Sequence, residues 1–404
     1  MKATCFVLRF LVSLCFAQGA FSLEDAAELR ERVLALGELR QAPATMPAEG
    51  FETSEGISPI FIDTLDYEGK PSKVFAWLGI PQGRSGKVPG IVLVHGGGGT
   101  AFREWVKKWN DHGFAAVAFA HEGQVERRDE NRKWEKHAWA GPWRRGHYKD
   151  VDKPLQDQWM YHAVADTVLA NSLLRSLPEV DADRIGVMGV SWGGVITSTV
   201  MGIDDRFAFA IPTYGCGMMA DVDNHWGQAL GDNEFYREVW DPLHYLPRAK
   251  MPTLWFSWPN DKHFPLDSQA ASYQAMAGPY MVSLLPGMKH STSASYNPPD
   301  SYAFAKSVVS SGKPWCMQVG EQVEGQDWEV VFDSSKALDR AVLIWTKDRG
   351  YPGDRHWEES AAELQRRDGK WVVSARVPKG ATGCFVNLNS GELTASSNFR
   401  NLEN

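Results

Sequence analysis

The sequence predicts an α/β protein with a doubly wound, mostly parallel sheet, followed by a small antiparallel β domain. Short apolar strands alternate with helical segments as far as residues 301–308, as in parallel sheets. After a Ser/Gly/Pro break at residues 310–314, strand-like runs follow one another with only turn signals between them, at 328–332, 341–346, 370–377 and 384–388. We therefore expect a larger domain over residues 23–312 and a smaller one over residues 313–404.

The first 22 residues have the pattern of a signal peptide. Basic residues at positions 2 and 9 precede a short apolar run, and Ala20 to Ser22 offers a small-x-small cleavage site. The apolar run is well short of the roughly 20 residues that a membrane span needs. We expect a secreted or periplasmic protein without a membrane span, whose mature chain keeps Cys216, Cys316 and Cys384. Three cysteines allow one disulfide at most, and the sequence leaves the pairing open.

A strand-to-helix turn at Ser191 is the most informative local pattern in the chain. An apolar strand at 185–190 breaks at Gly189, presents Ser191 and turns through Gly193 into a helix. The G-x-S-x-G pattern holds a serine on a sharp turn, where small neighbours are needed and the hydroxyl stands clear of the sheet. We interpret Ser191 as a nucleophile; the alternative is a purely structural glycine-rich turn.

An acid and a histidine follow Ser191 in the order that a serine nucleophile needs. Asp261 comes after the buried strand at 253–258, and His290 lies on a loop after the strand at 281–285. An imidazole must take the serine proton, and a carboxylate must hold that imidazole in the right tautomer. Taken singly, Asp261 could be a turn residue and His290 a surface histidine. The rival candidates are His263 for the base and Asp221 for the acid.

The glycine run after the strand at 90–94 predicts the oxyanion hole. Exposed backbone N–H groups there could stabilise a tetrahedral oxyanion, together with the N–H of the residue after the nucleophile. The candidates are Gly97 or Gly98 from the loop, and Trp192. A phosphate-binding loop would need G-K-[ST], which is missing, and the dinucleotide fingerprint is unconvincing here. We therefore expect no cofactor.

These motifs resemble an α/β-hydrolase of the dienelactone hydrolase and acetylxylan-esterase-like group. The resemblance covers about residues 70–312 and rests on H-G-G-G-G, G-V-S-W-G-G, N-D-x-x-F-P and the final P-G-x-x-H. Residues 159–166 and 178–185 also resemble the segment before the elbow in secreted acetyl esterases. The resemblance implies the fold and the triad Ser191, Asp261 and His290. Dienelactone hydrolases themselves carry cysteine at the elbow, so that activity is not expected.

A basic, aromatic segment at 123–154 is expected to form a lid or pocket wall. Between Glu126 and Asp150 it holds eight Lys or Arg residues against five acids, although the chain has a net charge of −8. Flat aromatic faces suit sugar rings, and arginines suit acidic sugars or carboxylates. The candidates for substrate contact are Trp139, Trp143 and Trp258; the alternative is that the segment's tryptophans anchor it to the core.

The motifs favour a serine hydrolase that cleaves a carboxylic ester through an acyl-enzyme, and the resemblance implies that it removes acetyl or another small acyl group from a carbohydrate. The interleaved charges give no sign of nucleic-acid binding, and no histidine or cysteine spacing indicates a metal. A prolyl-oligopeptidase-type peptidase is an alternative, but residues 22–70 are too few for its propeller. A binding protein on an inactive scaffold is another. Nothing in the sequence specifies an oligomeric state.

Overall fold

The structure, a computed structural model, describes residues 23–83 and 85–403. The predicted signal peptide, residues 1–22, lies outside the described residues. Within this part of the chain, no helix combines the length and the apolar character needed to cross a membrane.

The helices and strands follow the predicted alternation over most of the chain. The α-helices are α1 (Leu23–Leu34), α2 (Arg103–Asp111), α3 (Trp159–Ser176), α4 (Trp192–Val200), α5 (His225–Leu230), α6 (Leu266–Gln274), α7 (Thr292–Tyr296) and α8 (Asp300–Ser311). The strands are β1 (Thr45–Pro47), β2 (Ile57–Asp63), β3 (Lys73–Gly79), β4 (Val88–Val94), β5 (Ala115–Phe119), β6 (Gln124–Arg128), β7 (Trp134–Lys136), β8 (Val180–Val190), β9 (Phe209–Thr213), β10 (Thr253–Ser257), β11 (Tyr280–Leu284), β12 (Cys316–Glu324), β13 (Asp327–Ser334), β14 (Arg340–Thr346), β15 (Glu358–Ala361), β16 (Glu363–Arg367), β17 (Lys370–Arg376), β18 (Gly383–Ser390), β19 (Leu393–Ser396) and β20 (Arg400–Asn401).

A parallel block of six strands forms the centre of the main sheet, in the order β5-β4-β8-β9-β10-β11. The strands β4, β5, β9 and β10 are buried along nearly their whole length, as expected of strands covered by helices on both faces. The strands β1, β2 and β3 extend the sheet in antiparallel fashion beyond β5. The predicted fold class, a mostly parallel α/β-hydrolase sheet with antiparallel strands at the C-terminal end, is confirmed.

The strand order reverses at β4, which positions the site. From β4 the chain moves to β5 on one side and later returns to β8 on the other. Ligands of open α/β sheets bind outside the carboxyl ends of the strands at such a switch point. The glycine loop at residues 96–99 follows β4, and Ser191 follows β8, so both lie at this point.

The C-terminal strands divide between two sheets. The strands β12, β13, β17 and β16 form a separate antiparallel sheet, whereas β19, β18, β14 and β15 continue the main sheet beyond β11. Their burial explains the division: β13 alternates between buried and partly exposed residues, as a sheet with one wet face does, while β18 is buried at six consecutive residues. A domain boundary at residue 313 stays a prediction.

The basic, aromatic segment begins with a hairpin of β6 and β7 and continues without regular structure to residue 154. The indole Nε1 of Trp134 donates to the Gly98 carbonyl at 2.9 Å, which ties the hairpin to the glycine loop.

The three cysteines of the predicted mature chain form no disulfide in the described structure. Cys216, Cys316 and Cys384 are buried free thiols.

Candidate active site

Ser191 occupies a strained turn between β8 and α4. Its backbone has φ 58° and ψ −115°, and residues other than glycine seldom adopt a positive φ. Glycines make this turn possible: a Cβ on Gly193 would collide with the Val94 carbonyl, and one on Gly189 would collide with the Gly193 carbonyl. The N–H of Ser191 donates to the Thr213 carbonyl at 2.9 Å. The surrounding structure therefore fixes the serine backbone in the geometry of a nucleophile elbow.

Asp261 and His290 form a direct hydrogen bond. Asp261 follows β10 and is 1% exposed. Its Oδ1 accepts the backbone N–H groups of His263 and Phe264 at 2.8 and 2.9 Å, and its Oδ2 accepts Nδ1–H of His290 at 2.8 Å. Because the carboxylate accepts at Nδ1, the neutral imidazole keeps its lone pair on Nε2. This is the tautomer that a general base needs.

Aromatic rings hold the imidazole of His290 in place. Its centroid lies 4.4 Å from the Tyr214 ring, 4.6 Å from the His263 ring and 6.0 Å from the Phe264 ring, which is nearly parallel to it. The Tyr214 hydroxyl donates to the Lys289 carbonyl at 2.7 Å, which fixes the loop just before the histidine.

Residues 213 and 214 connect the nucleophile to the base. The Thr213 carbonyl accepts the N–H of Ser191, and the ring of the next residue, Tyr214, packs on His290. In the described structure no hydrogen bond joins Ser191 Oγ to His290. Hydrogen bonds of this kind often tighten only with substrate bound.

The glycine loop presents N–H groups next to the elbow. Gly96 lies so close that a Cβ there would be 3.2 Å from the Ser191 Cβ. The N–H of Gly99 is used within the loop, since it donates to the Gly96 carbonyl at 3.0 Å. Among the described groups of the protein, neither the N–H of Gly97 nor that of Gly98 has an acceptor. Both remain candidates for the loop donor, opposite Trp192.

A stacked histidine pair supports this loop, and sequence reasoning missed it. His121 Nε2 donates to the His95 carbonyl at 2.9 Å, His95 Nδ1 donates to the Gly96 carbonyl at 2.7 Å, and the two rings lie 3.8 Å apart. Burial lowers the pKa of His95 to about 3 and that of His121 to about 4. Both are therefore neutral near pH 7. The only signal in the sequence was the position of His95 at the head of the glycine run.

The rival residues are engaged elsewhere. The backbone N–H of His263 donates to Asp261 Oδ1, while the imidazole Nδ1 of His263 lies 3.4 Å from Nε2 of His225. Burial lowers the pKa of His263, and the nearby His290 lowers it further. Asp221 pairs with Arg237 at 2.7 Å and is half exposed. Across the described residues, no set of three or more His, Cys, Asp or Glu side chains is arranged to hold a metal ion.

The ring contacts of Trp139 and Trp143 are with residues outside the proposed triad. Trp139 is 41% exposed and packs edge-on against Phe61 of β2, at 5.2 Å. Trp143 is 50% exposed, with Lys136 Nζ 4.8 Å from its ring centre. The structure thus does not bring these two residues to the proposed triad, and their role in substrate binding stays a prediction.

Neighbouring residues of the same segment do reach the site. The Arg144 guanidinium lies 4.9 Å from the Trp192 ring centre, and the His147 ring lies 5.7 Å from Trp192 and 4.5 Å from Trp226. The Tyr148 ring packs on Trp192 at 5.4 Å. Contact with the residue after the nucleophile therefore comes from Arg144, His147 and Tyr148.

A cleft of about 600 Å³ opens beside His290. Trp258, predicted as a substrate contact, lines it together with Lys262 and His263. Residues from the C-terminal part of the chain line it as well, including His356 and Trp357. The C-terminal strands thus contribute to the surface around the candidate base, which the sequence did not indicate.

Comparison with known families identifies the chain. A model of the acetyl xylan esterase family (AXE1) matches residues 35–251, more than half of the chain, including the glycine loop and Ser191. A model described as PhoPQ-activated pathogenicity-related protein matches residues 210–350, which include Asp261 and His290. No curated protein matches the chain.

Two solved structures share the fold. The acetyl xylan esterase from Paenibacillus sp. R4 is 22% identical, with a TM-score of 0.52 over 66% of this chain and 89% of that one. Acetyl xylan esterase 1 from Thermoanaerobacterium sp. JW/SL YS485 is 19% identical, with a TM-score of 0.51 over the same shares of the two chains. The structural likeness supports the fold, and the family match over more than half of the sequence decides the assignment: the chain belongs to the acetyl xylan esterase family and is a carboxylic ester hydrolase.

Proposed function

We propose that this esterase removes acetyl or another small acyl group from a carbohydrate, through an acyl-enzyme on Ser191. His290 acts as general base and Asp261 orients it. The observation that carries this proposal is the 2.8 Å hydrogen bond from His290 Nδ1 to Asp261, because it directs the lone pair of Nε2 outward from the buried acid. The strained elbow at Ser191 and the unused N–H groups of the glycine loop support the same mechanism.

In the acylation step, Ser191 Oγ attacks the ester carbonyl and its proton passes to His290 Nε2. The carbonyl electron pair moves to oxygen, where the N–H of Trp192 and that of Gly97 or Gly98 stabilise the negative charge. When the tetrahedral intermediate collapses, the C–O bond to the alcohol breaks and the alcohol takes the proton from His290. Asp261 stays ionised and stabilises the imidazolium.

In the deacylation step, water replaces the alcohol. His290 takes a proton from water as it attacks the acyl carbon, the same oxyanion forms, and Ser191 Oγ leaves with the returned proton. The products are the free acid and the starting enzyme. Each step needs only groups of this chain and water.

Two features support a carbohydrate as the alcohol. Trp258 lines the same cleft as His290, and indole faces pack well on sugar rings. The solved structures with this fold include two enzymes named acetyl xylan esterases.

Substrate screening with a nucleophile variant tests the proposal. Acetylated xylan, p-nitrophenyl acetate and aminoacyl anilides are offered to the purified protein and to Ser191→Ala. We expect acetate release from the first two, little anilide cleavage, and a loss of several orders of magnitude in the variant. A serine-directed fluorophosphonate should add to one site, located by peptide mass spectrometry at Ser191.

Other outcomes would contradict specific parts of the proposal. Faster cleavage of anilides than of esters would indicate a peptidase. Labelling at another residue, or full activity in Ser191→Ala, would exclude Ser191 as the nucleophile. Hydrolysis of p-nitrophenyl acetate without any acetate release from acetylated carbohydrates would support the esterase activity but contradict a carbohydrate as the substrate.

Export is part of the proposal and rests on residues 1–22 alone. Expression of the full chain in a bacterial host, followed by N-terminal sequencing of the processed protein, tests it. We expect cleavage after Ser22 and recovery outside the cytoplasm. An uncleaved N-terminus in the cytoplasmic fraction would contradict export.

A further inference from the structure

Arg144 lies next to the loop and the residue predicted to form the oxyanion hole. A Cβ on Gly97 would be 2.8 Å from Arg144 Nη2 and 2.7 Å from Trp192 Cδ1, so these three residues meet at one point. The guanidinium is also 4.9 Å from the Trp192 ring centre. Trp192 directly follows Ser191, which places the cation within one residue of the candidate nucleophile.

The guanidinium is held in a fixed orientation. Nε pairs with Glu122 Oε1 at 3.2 Å, and Nη1 donates to the Gly146 carbonyl at 2.9 Å. Both side chains are largely buried, with 19% of Arg144 and 9% of Glu122 exposed. The two tethers engage Nε and Nη1, and Nη2 is the nitrogen that lies against Gly97. A cation that is anchored beforehand loses less entropy when it binds an anion.

The charges around Arg144 are mostly positive. Residues 132–149 contain six Lys or Arg residues and one acid, Glu135, in a chain whose net charge is −8. Glu135 is paired with Arg127. Glu122 offsets one charge, but it faces Lys136 as well as Arg144. This side of the site therefore keeps an excess of positive charge that one internal carboxylate does not balance.

We propose that Arg144 binds a carboxylate of the substrate close to the scissile ester, so that the preferred substrates are acyl esters of acidic molecules. This inference rests on the proposed ester hydrolysis at Ser191. The carboxylate can belong to the alcohol, as in an acylated uronic acid sugar, or to the acyl group. In both cases the recognising chemistry is a planar guanidinium that meets a carboxylate in a partly desolvated site.

Two matched pairs of substrates distinguish these sources. The first pair is acetylated methyl glucuronide and acetylated methyl glucoside, which differ only in the carboxylate at C6. The second pair is p-nitrophenyl hemisuccinate and p-nitrophenyl pentanoate, whose acyl groups have the same length. In at least one pair we expect kcat/KM to be about tenfold or more higher for the acidic member, mainly through KM. Added salt should reduce this preference.

Variants of Arg144 assign the preference to this residue. Arg144→Gln should reduce the preference to within about twofold, whereas Arg144→Lys should retain part of it, because the charge remains but the planar fork is lost. Arg128→Gln is the matched control: it removes one cation from the same segment, where Arg128 stacks on Trp134 at 3.7 Å, and should keep the full preference. An equal loss of preference in Arg128→Gln would show that general charge, and not Arg144, is responsible.

A binding measurement keeps the inference independent of catalysis. Calorimetric titration of Ser191→Ala with the two acetylated sugars should show about tenfold tighter binding of the glucuronide. Equal hydrolysis of both members of both pairs, with equal affinity in Ser191→Ala, would overturn the inference and leave the esterase proposal intact. If no ester is hydrolysed, the proposed function fails, and the affinities alone decide the role of Arg144.

Discussion

The imidazole of His121 donates from Nε2 to the carbonyl oxygen of His95, while the two rings stack 3.8 Å apart. His121 comes just after the end of β5, and His95 is the first residue after β4. The hydrogen bond therefore joins the carboxyl ends of two neighbouring parallel strands. Since His95 in turn donates to the Gly96 carbonyl, the pair determines where the next N–H groups of the loop point.

Replacement of this donor should impair catalysis more than folding. His121→Phe retains an aromatic ring for stacking but leaves the His95 carbonyl without its partner, so the loop loses one restraint. We expect kcat for p-nitrophenyl acetate to fall by about tenfold. This loss is smaller than that on complete removal of an oxyanion donor, which is on the order of 100- to 1000-fold, because the donors remain and only their positioning weakens. His112→Phe is the control, because His112 also stacks on a ring, that of Tyr302, but packs beside α8. Equal kcat values in the two variants would show that His121 does not position the glycine loop for catalysis.

Stability should decline on mild acidification. In the folded state burial lowers the pKa of five histidines to about 3 or 4, below the ordinary 6.5: His95, His121, His137, His147 and His162. Between pH 6.5 and about 4 the unfolded chain binds protons that the folded chain does not, so the free energy of unfolding falls as pH falls. Each such histidine contributes at most about 1.4 kcal/mol per pH unit.

Five carboxyls act in the opposite direction, because burial also raises the pKa of Glu126, Asp241 and Asp267. Burial raises the pKa of Asp166 to about 7 and that of Asp300 to about 6, so the folded state binds their protons first and gains stability on acidification. Burial also lowers the pKa of His112, His225 and His263, so eight histidines outnumber five acids, and we expect Tm to fall from pH 7 to pH 5. The slope should be shallower in His121→Phe. Scanning calorimetry across this range measures both, and a Tm that rises towards pH 5 would contradict the expectation.

The acid of the proposed triad can be tested against a matched aspartate. Asp261→Asn should lower kcat by several orders of magnitude with little change in KM, because an amide favours the wrong tautomer of His290. Asp221→Asn makes the same chemical change at a half-exposed residue that pairs with Arg237, and it should keep turnover within about twofold. Near-normal turnover in Asp261→Asn would mean that another residue orients the base.

The tryptophans predicted as substrate contacts should separate into two groups. Trp258→Ala should lower kcat/KM on acetylated xylan by about tenfold while sparing p-nitrophenyl acetate, since only the large substrate extends along the cleft. Trp139→Ala removes a ring that packs on Phe61, so we expect a lower Tm and equal effects on both substrates. A loss of kcat/KM on acetylated xylan alone in Trp139→Ala would support this residue as a substrate contact.

The candidate triad could be read from the sequence because each member lies at a strand end. Ser191, Asp261 and His290 follow β8, β10 and β11, and in a parallel sheet such positions meet at one edge whatever the details of packing. The glycine loop after β4 obeys the same rule. Local pattern and sheet geometry agree at these positions, so no knowledge of distant contacts was needed.

Features that depend on distant packing could not be predicted. The support that His121 gives to His95 requires knowing that β5 lies beside β4. Trp139 was predicted as a substrate contact. In the structure its carbonyl accepts the N–H of Lys73 and its ring packs on Phe61 of β2, while its role in substrate binding stays a prediction. Arg144, five residues farther on, reaches Trp192 instead. In a segment without periodicity, spacing along the chain does not indicate which side chain points inward.

The strands β18 and β19 complete the edge of the main sheet beside β11. Ser396 Oγ accepts the N–H of Leu284 at 2.9 Å, and Asn387 Nδ2 donates to the Leu284 carbonyl at 2.9 Å, so side chains of β19 and β18 complete the hydrogen bonding of β11. A chain that stopped at residue 312 would leave β11 with an open edge of unpaired backbone groups, which invites pairing between molecules. Residues 383–396 are therefore part of the same sheet as the strands that carry the candidate site. They keep the strand that leads to His290 from becoming a site of aggregation.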